Sequence, residues 1–141
     1  MKKILLITIG LSALLFADFT KSGDIVTDTS TGLQWQDDVD AKNNTRTWSG
    51  AIDYCENLTL GGYSDWRLPN INELKSIVDR SKYSPAIADG FSNVRSGYYW
   101  SSTTRANDSD VAWVVSFYYG SVSNYGVKNR SHYVRCVRAG Q

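Results

Sequence analysis

The chain has 141 residues, of which 42% are hydrophobic and 13% aromatic; this excludes a disordered segment, and the 124 residues that follow a predicted export signal suit one domain. Without that signal the chain carries 13 basic and 14 acidic residues, a net charge of −1, which argues against a strongly basic nucleic-acid binder. Two cysteines and one histidine are too few for a Cys-rich zinc site or a multi-His metal centre.

The first 17 residues have the pattern of a secretory signal peptide. Lys2 and Lys3 precede an apolar run over residues 4–17, which is shorter than the about 20 residues that a transmembrane helix needs. We predict cleavage after Ala17; because Leu15 occupies a position where a small residue is preferred, an uncleaved anchor is the alternative. The expected location is the periplasm or the cell exterior of a bacterium, with no membrane span after removal of the signal.

Export places Cys55 and Cys136 in an oxidising compartment, where a pair of cysteines favours a disulfide over a metal or redox site. The alternative is two separate buried thiols. Neither interpretation supports cysteine catalysis, because no CxxC spacing occurs and the sole histidine, His132, lies on the same predicted strand as Cys136.

The first part of the exported chain predicts a hairpin and a helix. Residues 24–36 alternate apolar and polar positions around a turn-rich centre, which predicts a β-hairpin, and the polar residues 37–45 are expected to form a loop. Thr47 is the expected N-cap of a helix over residues 48–58, which places Cys55 on the apolar face of that helix.

A second helix and a long loop follow. Asn70 is the expected N-cap, and Glu73 stands at the spacing of a capping box. An apolar stripe at helical spacing extends this helix to about Arg80. Residues 81–97 lack periodicity and contain Pro and Gly, which indicates a surface loop.

The rest of the chain predicts strands separated by polar turns at residues 105–110 and 120–131. The middle strand carries apolar residues on both faces and is therefore expected to be central. The predicted strands cover residues 98–103, 111–119 and 133–138.

This order of elements predicts one α+β domain over residues 18–141, with an N-terminal hairpin, two short helices and then a mainly antiparallel sheet of C-terminal strands. Its two ends are expected to meet in one sheet, and a Cys55–Cys136 bridge would fasten the first helix to the last strand. By analogy, this is the layout of C-type lectin-like domains.

A series of motifs in a fixed order resembles the family once called domain of unknown function 1566, which includes the C-terminal domain of the Legionella collagen-like adhesin. The resemblance covers nearly all of the exported chain. It rests on TGLQW at 31–35, Thr47-Trp48 with Ala51, Tyr54 and Cys55, GGYSDWRLP at 61–69, Glu73-Leu74, YWSST at 99–103, Ala112-Trp113 with Phe117 and Gly120, and YVRCVR at 133–138.

The resemblance implies a C-type lectin-like fold in an exported bacterial protein. For the adhesin member it implies binding of glycosaminoglycans or other surface glycans. The present sequence departs from that adhesin because it contains no Gly-X-Y collagen repeat, so trimeric display and avidity through a stalk are not implied.

The tryptophans are interpreted as structural. Trp66 is expected to fill the core, while Arg67 beside it is expected to pair with a carboxylate or with backbone carbonyls. His132 is either a solvated strand residue or a ligand contact, and with one histidine no Ser-His-Asp arrangement can be built. The other tryptophans are expected to face inward as well: Trp35, Trp48, Trp100 and Trp113.

Calcium binding is not indicated, because the sequence has neither the Glu-Pro-Asn or Gln-Pro-Asp loop nor the Trp-Asn-Asp segment of calcium-dependent lectins. Asp37, Asp38 and Asp40 are clustered, but Lys42 stands where an EF-hand-like loop would need oxygen. These aspartates, and the pair Asp108 and Asp110, are expected to be solvated loop charges. We therefore expect no metal and no cofactor.

The distribution of charge indicates a candidate binding surface. Residues 18–94 hold seven basic and twelve acidic residues, whereas residues 95–141 hold six basic and two acidic ones, interleaved with tyrosines. Sulfated or carboxylated sugars need cations for their anionic groups and flat faces for their rings. The alternative is a solvated strand edge protected by its cations. The candidate ligand-binding residues are Tyr118, Tyr119, Tyr125, Lys128 and Arg130.

Two functions are consistent with these features. The first is an exported, non-catalytic binding module that recognises surface glycans, anionic polysaccharide among them, or a protein partner at a cell surface. The second is an enzyme or enzyme remnant related to the formylglycine-generating, sulfatase-modifying proteins, which use a reactive pair of cysteines. Because the cysteines are better explained as a structural bridge, we expect the binding module and no enzyme.

Overall fold

The computed structural model describes residues 18–140, so the predicted signal at residues 1–17 lies outside the described residues. Within residues 18–140 the helices are α1 (Val39–Asn43), α2 (Trp48–Asn57) and α3 (Ile71–Lys75). The strands in the same range are β1 (Phe19–Ser22), β2 (Ile25–Asp28), β3 (Gln34–Gln36), β4 (Thr45–Arg46), β5 (Tyr98–Arg105), β6 (Asp108–Ser116), β7 (Ser121–Val127), β8 (His132–Tyr133) and β9 (Val137–Arg138).

The strands form two sheets. A four-stranded sheet has the order β1-β2-β3-β9, and a five-stranded sheet has the order β4-β8-β5-β6-β7. Among the described strands, neighbours are antiparallel except for the parallel pair of β5 and β8. The α+β class and the meeting of the two ends are confirmed, because β9 pairs with β3. The other C-terminal strands belong to the second sheet.

The predicted hairpin is formed by β2 and β3, in which Val26 pairs with Trp35 and both side chains are fully buried. Gly32 in the connecting turn has φ +80°, a conformation that costs glycine little. One further strand, β1, pairs with β2 and was missed because its sequence, FTKS, has almost no apolar pattern.

Local capping signals correctly predicted where α2 and α3 begin. The Thr47 side chain accepts a hydrogen bond from the Gly50 N–H at the start of α2, and Asn70 and Glu73 form a complete capping box on α3. However, α3 ends at Lys75 rather than near Arg80. Within residues 18–140, no helix is long and apolar enough to cross a bilayer.

The segment 37–45 is not the predicted loop, because it contains α1 and β4. Asp38 caps α1 by accepting a hydrogen bond from the Ala41 N–H, and Ala41 is fully buried. The aspartates of this segment are therefore not the solvated charges that the sequence suggested.

The C-terminal region differs from the prediction in three places. The strand predicted over residues 111–119 is β6 and covers Asp108–Ser116, so Asp108 and Asp110 are exposed strand residues rather than loop charges. The single strand predicted over residues 133–138 is divided into β8 and β9, which lie in different sheets. The turn predicted over residues 120–131 contains β7, whose SVSNYGV sequence is typical of a turn. Its Gly126 is buried, and a β-carbon there would lie 2.9 Å from both Trp100 and Val114, so close packing explains this glycine.

Two apolar clusters cover the two faces of β5 and β6, which confirms that β6 is central. On one face, Tyr99, Val115 and Phe117 pack against α3 and the four-stranded sheet. On the other face, Trp100, Ala112 and Val114 pack against α2. The Cys55–Cys136 disulfide is confirmed, with an S–S distance of 2.09 Å, and it joins α2 to the segment just before β9. It therefore ties the second cluster to the edge of the four-stranded sheet.

Asp37 and Arg135 form an ion pair in which both side chains are fully buried. This pair connects distant parts of the chain. Arg135 Nη1 donates to Asp37 Oδ1 at 2.9 Å and to the Gln36 carbonyl at 2.5 Å, and Nη2 donates to the Asn93 carbonyl at 2.5 Å. The Asp37 carboxylate also accepts from Lys21 Nζ and from the backbone N–H groups of residues 92 and 93. This network holds the long loop against both ends of the domain.

Replacing Asp37 with Asn is expected to lower the free energy of unfolding by about 3–5 kcal/mol, because the charge of Arg135 then stays buried without a partner. Urea unfolding of the oxidised protein measures this loss. The matched control is Asp89→Asn, which removes a carboxylate that is 95% exposed and paired with Lys82. Equal losses in the two variants would contradict a special role for the buried pair.

The same pair makes stability depend on pH. Burial raises the pKa of Asp37, but Arg135, Lys21 and two backbone N–H groups lower it by more, so the pKa lies below its ordinary value of 3.8. A carboxyl with a lowered folded pKa stabilises the fold above the unfolded pKa and loses that effect as the pH falls through the folded pKa. The difference in stability between wild type and Asp37→Asn is therefore expected to shrink below about pH 4.

Candidate functional site

Three exposed tyrosines, here called the turn tyrosines, cluster beside the turn between β6 and β7. They are Tyr83, Tyr118 and Tyr119, which are 68%, 41% and 68% exposed. The ring centroids of Tyr118 and Tyr119 are 4.6 Å apart, and those of Tyr83 and Tyr118 are 6.0 Å apart. The rings meet edge to face, at interplanar angles of 76° and 65°, so each exposed ring offers its own apolar face with a polar hydroxyl at its edge.

Backbone hydrogen bonds between the long loop and the end of β6 hold the turn tyrosines together. The Ser84 N–H donates to the Tyr118 carbonyl at 2.8 Å, and the Ala86 N–H donates to the Phe117 carbonyl at 2.7 Å. Phe117 is fully buried, which anchors the start of the turn in the core. Tyr83 thus lies next to Tyr118 although the two are far apart in sequence.

Two basic residues lie beside this turn. Lys75 and Arg80 line a depression of 160 Å³ together with Val78, Gly120 and Val122. A second depression of 230 Å³ adjoins it and is lined by Ile71, Lys75, Trp113 and Val122. We call the turn tyrosines together with Lys75 and Arg80 the turn surface.

The other three predicted site residues, Tyr125, Lys128 and Arg130, form a separate strand-end group. Tyr125 is 67% exposed, and its ring contacts Tyr98 at 6.0 Å between centroids. Lys128 Nζ lies 3.8 Å from the centroid of the Trp48 ring and donates to Thr104 Oγ1 at 2.9 Å.

Arg130 of the strand-end group has an exposed side chain. Tyr125 lies four residues after Ser121, at which β7 begins next to the turn, a separation of about 13 Å at the usual strand rise. The structure therefore brings Tyr118 and Tyr119 together but does not join them with Tyr125, Lys128 and Arg130 into one surface.

The basic C-terminal region is less exposed than its sequence suggested. Arg135 is fully buried in its pair with Asp37, and Arg138 is 7% exposed in a bidentate pair with Asp65. Their charges are compensated inside the protein. The cations of the turn surface, and Tyr83, lie within residues 75–83. Sequence reasoning missed these residues because only the folded chain brings them close to residues 118 and 119.

Two of the tryptophans are not fully inward-facing. Trp35, Trp66 and Trp100 are buried, as predicted, whereas Trp48 and Trp113 are half-buried. The Trp48 indole N–H donates to the Ser101 carbonyl, and its ring contacts Lys128. Trp113 lines the depression beside Lys75, which makes it a neighbour of the turn surface.

The predicted pairing of Arg67 with a carboxylate is confirmed, because Arg67 forms a bidentate pair with Glu73 at 2.7 Å.

The clustered aspartates have structural partners. Asp37 pairs with Arg135, Asp38 caps α1, and Asp40 accepts a hydrogen bond from the Tyr54 hydroxyl at 3.0 Å. The pKa of Tyr54 lies above its ordinary value, because burial and then the Asp40 hydrogen bond disfavour the phenolate. Among residues 18–140, no group of three or more His, Cys, Asp or Glu side chains is arranged to hold a metal ion.

His132 is half-buried between aromatic rings, with centroid distances of 4.8 Å to Trp100 and 5.5 Å to Tyr98. Its Nε2 has no hydrogen-bond partner among the described residues. Burial lowers the pKa of His132 below 6.5, a backbone hydrogen bond at Tyr125 opposes that shift, and the charge of Arg130 lowers the pKa further. His132 is therefore a neutral packing residue near pH 7, close enough to Arg130 to sense its charge.

The single histidine allows a direct test of this arrangement. We expect His132 to titrate below pH 6.5 in NMR spectra of the folded protein, and we expect Arg130→Ala to raise its pKa because a repelling charge is removed. Lys82→Ala, which removes a distant cation paired with Asp89, is the matched control and should leave the titration unchanged. A His132 pKa at or above 6.5 in wild type would contradict the described packing.

Comparison with known proteins gives one family. The family model described as the Lcl C-terminal domain matches residues 24–138. Among curated proteins, none matches the chain significantly. The matched residues include both cysteines and every predicted ligand-binding residue. They also include every strand of the two sheets apart from β1.

Proposed function

The chain belongs to the Lcl C-terminal domain family, and from this premise we propose that it is an exported, non-catalytic module that binds anionic polysaccharide at a cell surface. The family suggests an adhesin-like binding module with an extracellular or cell-surface location. The ligand class, the export and the absence of catalysis are parts of the proposal.

The observation that carries the ligand class is the turn surface. It combines three exposed tyrosines, with Tyr118 in contact with both Tyr83 and Tyr119, and the two cations Lys75 and Arg80. A sugar ring can pack its apolar face on a tyrosine, while sulfate or carboxylate groups pair with the ammonium and guanidinium groups. This is the combination of chemistry that the sequence predicted, at a location built partly from other residues.

The strand-end group is the second candidate location for the same ligand. In its favour, Arg130 is exposed, and Tyr125 presents an exposed ring. Against it, Lys128 already contacts Trp48 and Thr104, so its ammonium would have to give up those contacts to bind an anion. We therefore place the primary site at the turn surface.

Heparin retention at low ionic strength tests the proposal. Lys75→Ala/Arg80→Ala is expected to weaken binding about tenfold or more, because two charge-assisted contacts of about 1 kcal/mol each are lost. Tyr119→Ala, with both cations intact, is expected to weaken heparin binding less than the double substitution does. Its effect on binding should persist at higher salt, because ring stacking is not screened by ions.

The matched control is Lys42→Ala/Arg95→Ala, which removes two cations at α1 and the adjoining loop and should elute like wild type. Loss of retention only in Lys128→Ala/Arg130→Ala would move the site to the strand-end group. Wild-type retention in both doubly substituted site variants would overturn binding of anionic polysaccharide at either place.

We also propose that the domain is C-type lectin-like. Three observations support this. The N-terminal hairpin and the final strand share a sheet, and a long loop without a named helix or strand precedes β5. In addition, a disulfide joins α2 to the residue before the last strand. An experimental structure compared with C-type lectin domains would test this assignment.

The non-catalytic assignment is supported by the disulfide. An enzyme of the formylglycine-generating type would need a reactive pair of cysteines, whereas Cys55 and Cys136 are bonded to each other and fully buried. We expect thiol titration of the native protein to find no free thiol, and titration after unfolding and reduction to find two. Two reactive thiols in the native protein would instead favour the enzyme.

A further inference from the structure

The outer face of the four-stranded sheet carries a cavity that the proposed function does not use. Along β2, β3 and β9, the residues Val26, Trp35 and Val137 point into the core and are fully buried. Their chain neighbours Thr27, Gln34 and Arg138 form a row across the outer face, because Thr27 pairs with Gln34 and Gln34 with Arg138 in the strand register. Together with Gly32 and Tyr63, this row lines a cavity of 360 Å³.

The polar side chains of the cavity are fixed by one another. Arg138 donates to both carboxylate oxygens of Asp65, at 2.6 and 3.1 Å, and its Nη1 donates to the side-chain oxygen of Gln34. The Gln34 amide nitrogen donates to Thr27 Oγ1 at 3.2 Å. Because a guanidinium has no acceptor, the amide oxygen of Gln34 must face Arg138, which defines the direction of the whole chain of bonds.

This chain of bonds leaves several groups able to bind a ligand. Thr27 accepts from Gln34, so its own hydroxyl proton remains available, and Gln34 retains a second amide proton. Asp65 does not line the cavity but holds the Arg138 guanidinium that does. The cavity therefore presents oriented donors without any need to rearrange.

The cavity also has an aromatic wall. The guanidinium carbon of Arg138 lies 3.7 Å from the centroid of the Tyr63 ring, and the ring is still 42% exposed. Tyr63 is held by its backbone, because its carbonyl accepts from the Trp66 indole N–H at 3.1 Å and its N–H donates to the Leu60 carbonyl. The exposed part of the ring is thus available to pack against a ligand.

Charge and size define the ligand class. Arg138 is the one charged residue that lines the cavity, and Asp65 compensates its charge from outside the lining; the other lining residues, Thr27, Gly32, Gln34 and Tyr63, are uncharged. A cavity without net charge that presents hydroxyl and amide groups matches a polyhydroxylated ligand without charge, and an aromatic ring matches the apolar face of a pyranose. The volume is at the lower end of small-ligand pockets, which suits one sugar unit.

We propose that this cavity binds a neutral monosaccharide unit through hydrogen bonds with Thr27 and Gln34 and packing on Tyr63. The site lies on a different sheet from the turn surface and does not depend on the anionic-polysaccharide proposal. Its ligand differs in chemistry, because no uncompensated cation faces the cavity.

NMR titration of the oxidised protein with methyl glycosides of the common neutral hexoses and N-acetylhexosamines tests the site. We expect at least one of them to shift the signals of residues 27, 32, 34, 63 and 138 with millimolar affinity. Thr27→Val keeps the shape of the side chain and removes one hydroxyl, so it is expected to weaken binding about fivefold, and Tyr63→Ala should weaken it by at least as much.

Thr45→Val, on β4 of the other sheet, is the matched control and should bind like wild type. The cavity site is overturned if none of these glycosides shifts the cavity signals, or if Thr27→Val and Tyr63→Ala bind as wild type does. Preference for a glucuronate over every neutral glycoside would overturn the ligand class. Heparin retention should be unchanged in both cavity variants, so failure here and failure of the proposed function are distinguishable.

Discussion

The fold depends on the burial of one ion pair, Asp37 with Arg135. Removing two charges from water costs several kcal/mol per ion, and mutual attraction offsets that cost only when the remaining lone pairs and protons are also satisfied. Here both carboxylate oxygens are saturated, by Lys21 and by backbone N–H groups of the long loop, while on the guanidinium both Nη atoms are bonded and the buried Nε–H has no partner among the described residues. The pair thereby fixes a loop without regular structure against the first sheet, and that loop in turn positions Tyr83 beside Tyr118.

The same pair changes what the charge distribution means. Counting charges along the chain makes the C-terminal third basic, but Arg135 and Arg138 are compensated by aspartates 98 and 73 residues earlier in the sequence. Such pairings depend on strand order and register, which a charge count does not contain. The cations beside the exposed tyrosines are Lys75 and Arg80, which belong to the half of the chain that is net acidic.

Local signals predicted local structure. The Thr47 cap, the Asn70–Glu73 capping box and the alternation around Trp35 act within a few residues, and the disulfide followed from the presence of only two cysteines. The sequence could not predict β1 and β7, because they become strands by pairing with β2 and β6 rather than by their own composition. Two of the five residues of the turn surface could be predicted, because Tyr118 and Tyr119 are adjacent in sequence, whereas Tyr83 reaches them only through the fold.

Salt limits what exposed cations can contribute to binding. At physiological ionic strength the screening length is about 8 Å, so Lys75 and Arg80 attract a polyanion only near contact. Packing of a sugar ring on a tyrosine is not screened in this way, so a module working outside the cell gains most from cations that stand directly beside aromatic rings. In the turn surface, Lys75 and Arg80 line a depression with Gly120, the residue after Tyr119. Lys128, by contrast, is engaged with Trp48 and Thr104 and would first have to release these partners. The geometry of the folded chain, more than the number of its charges, therefore decides which tyrosines can serve a ligand.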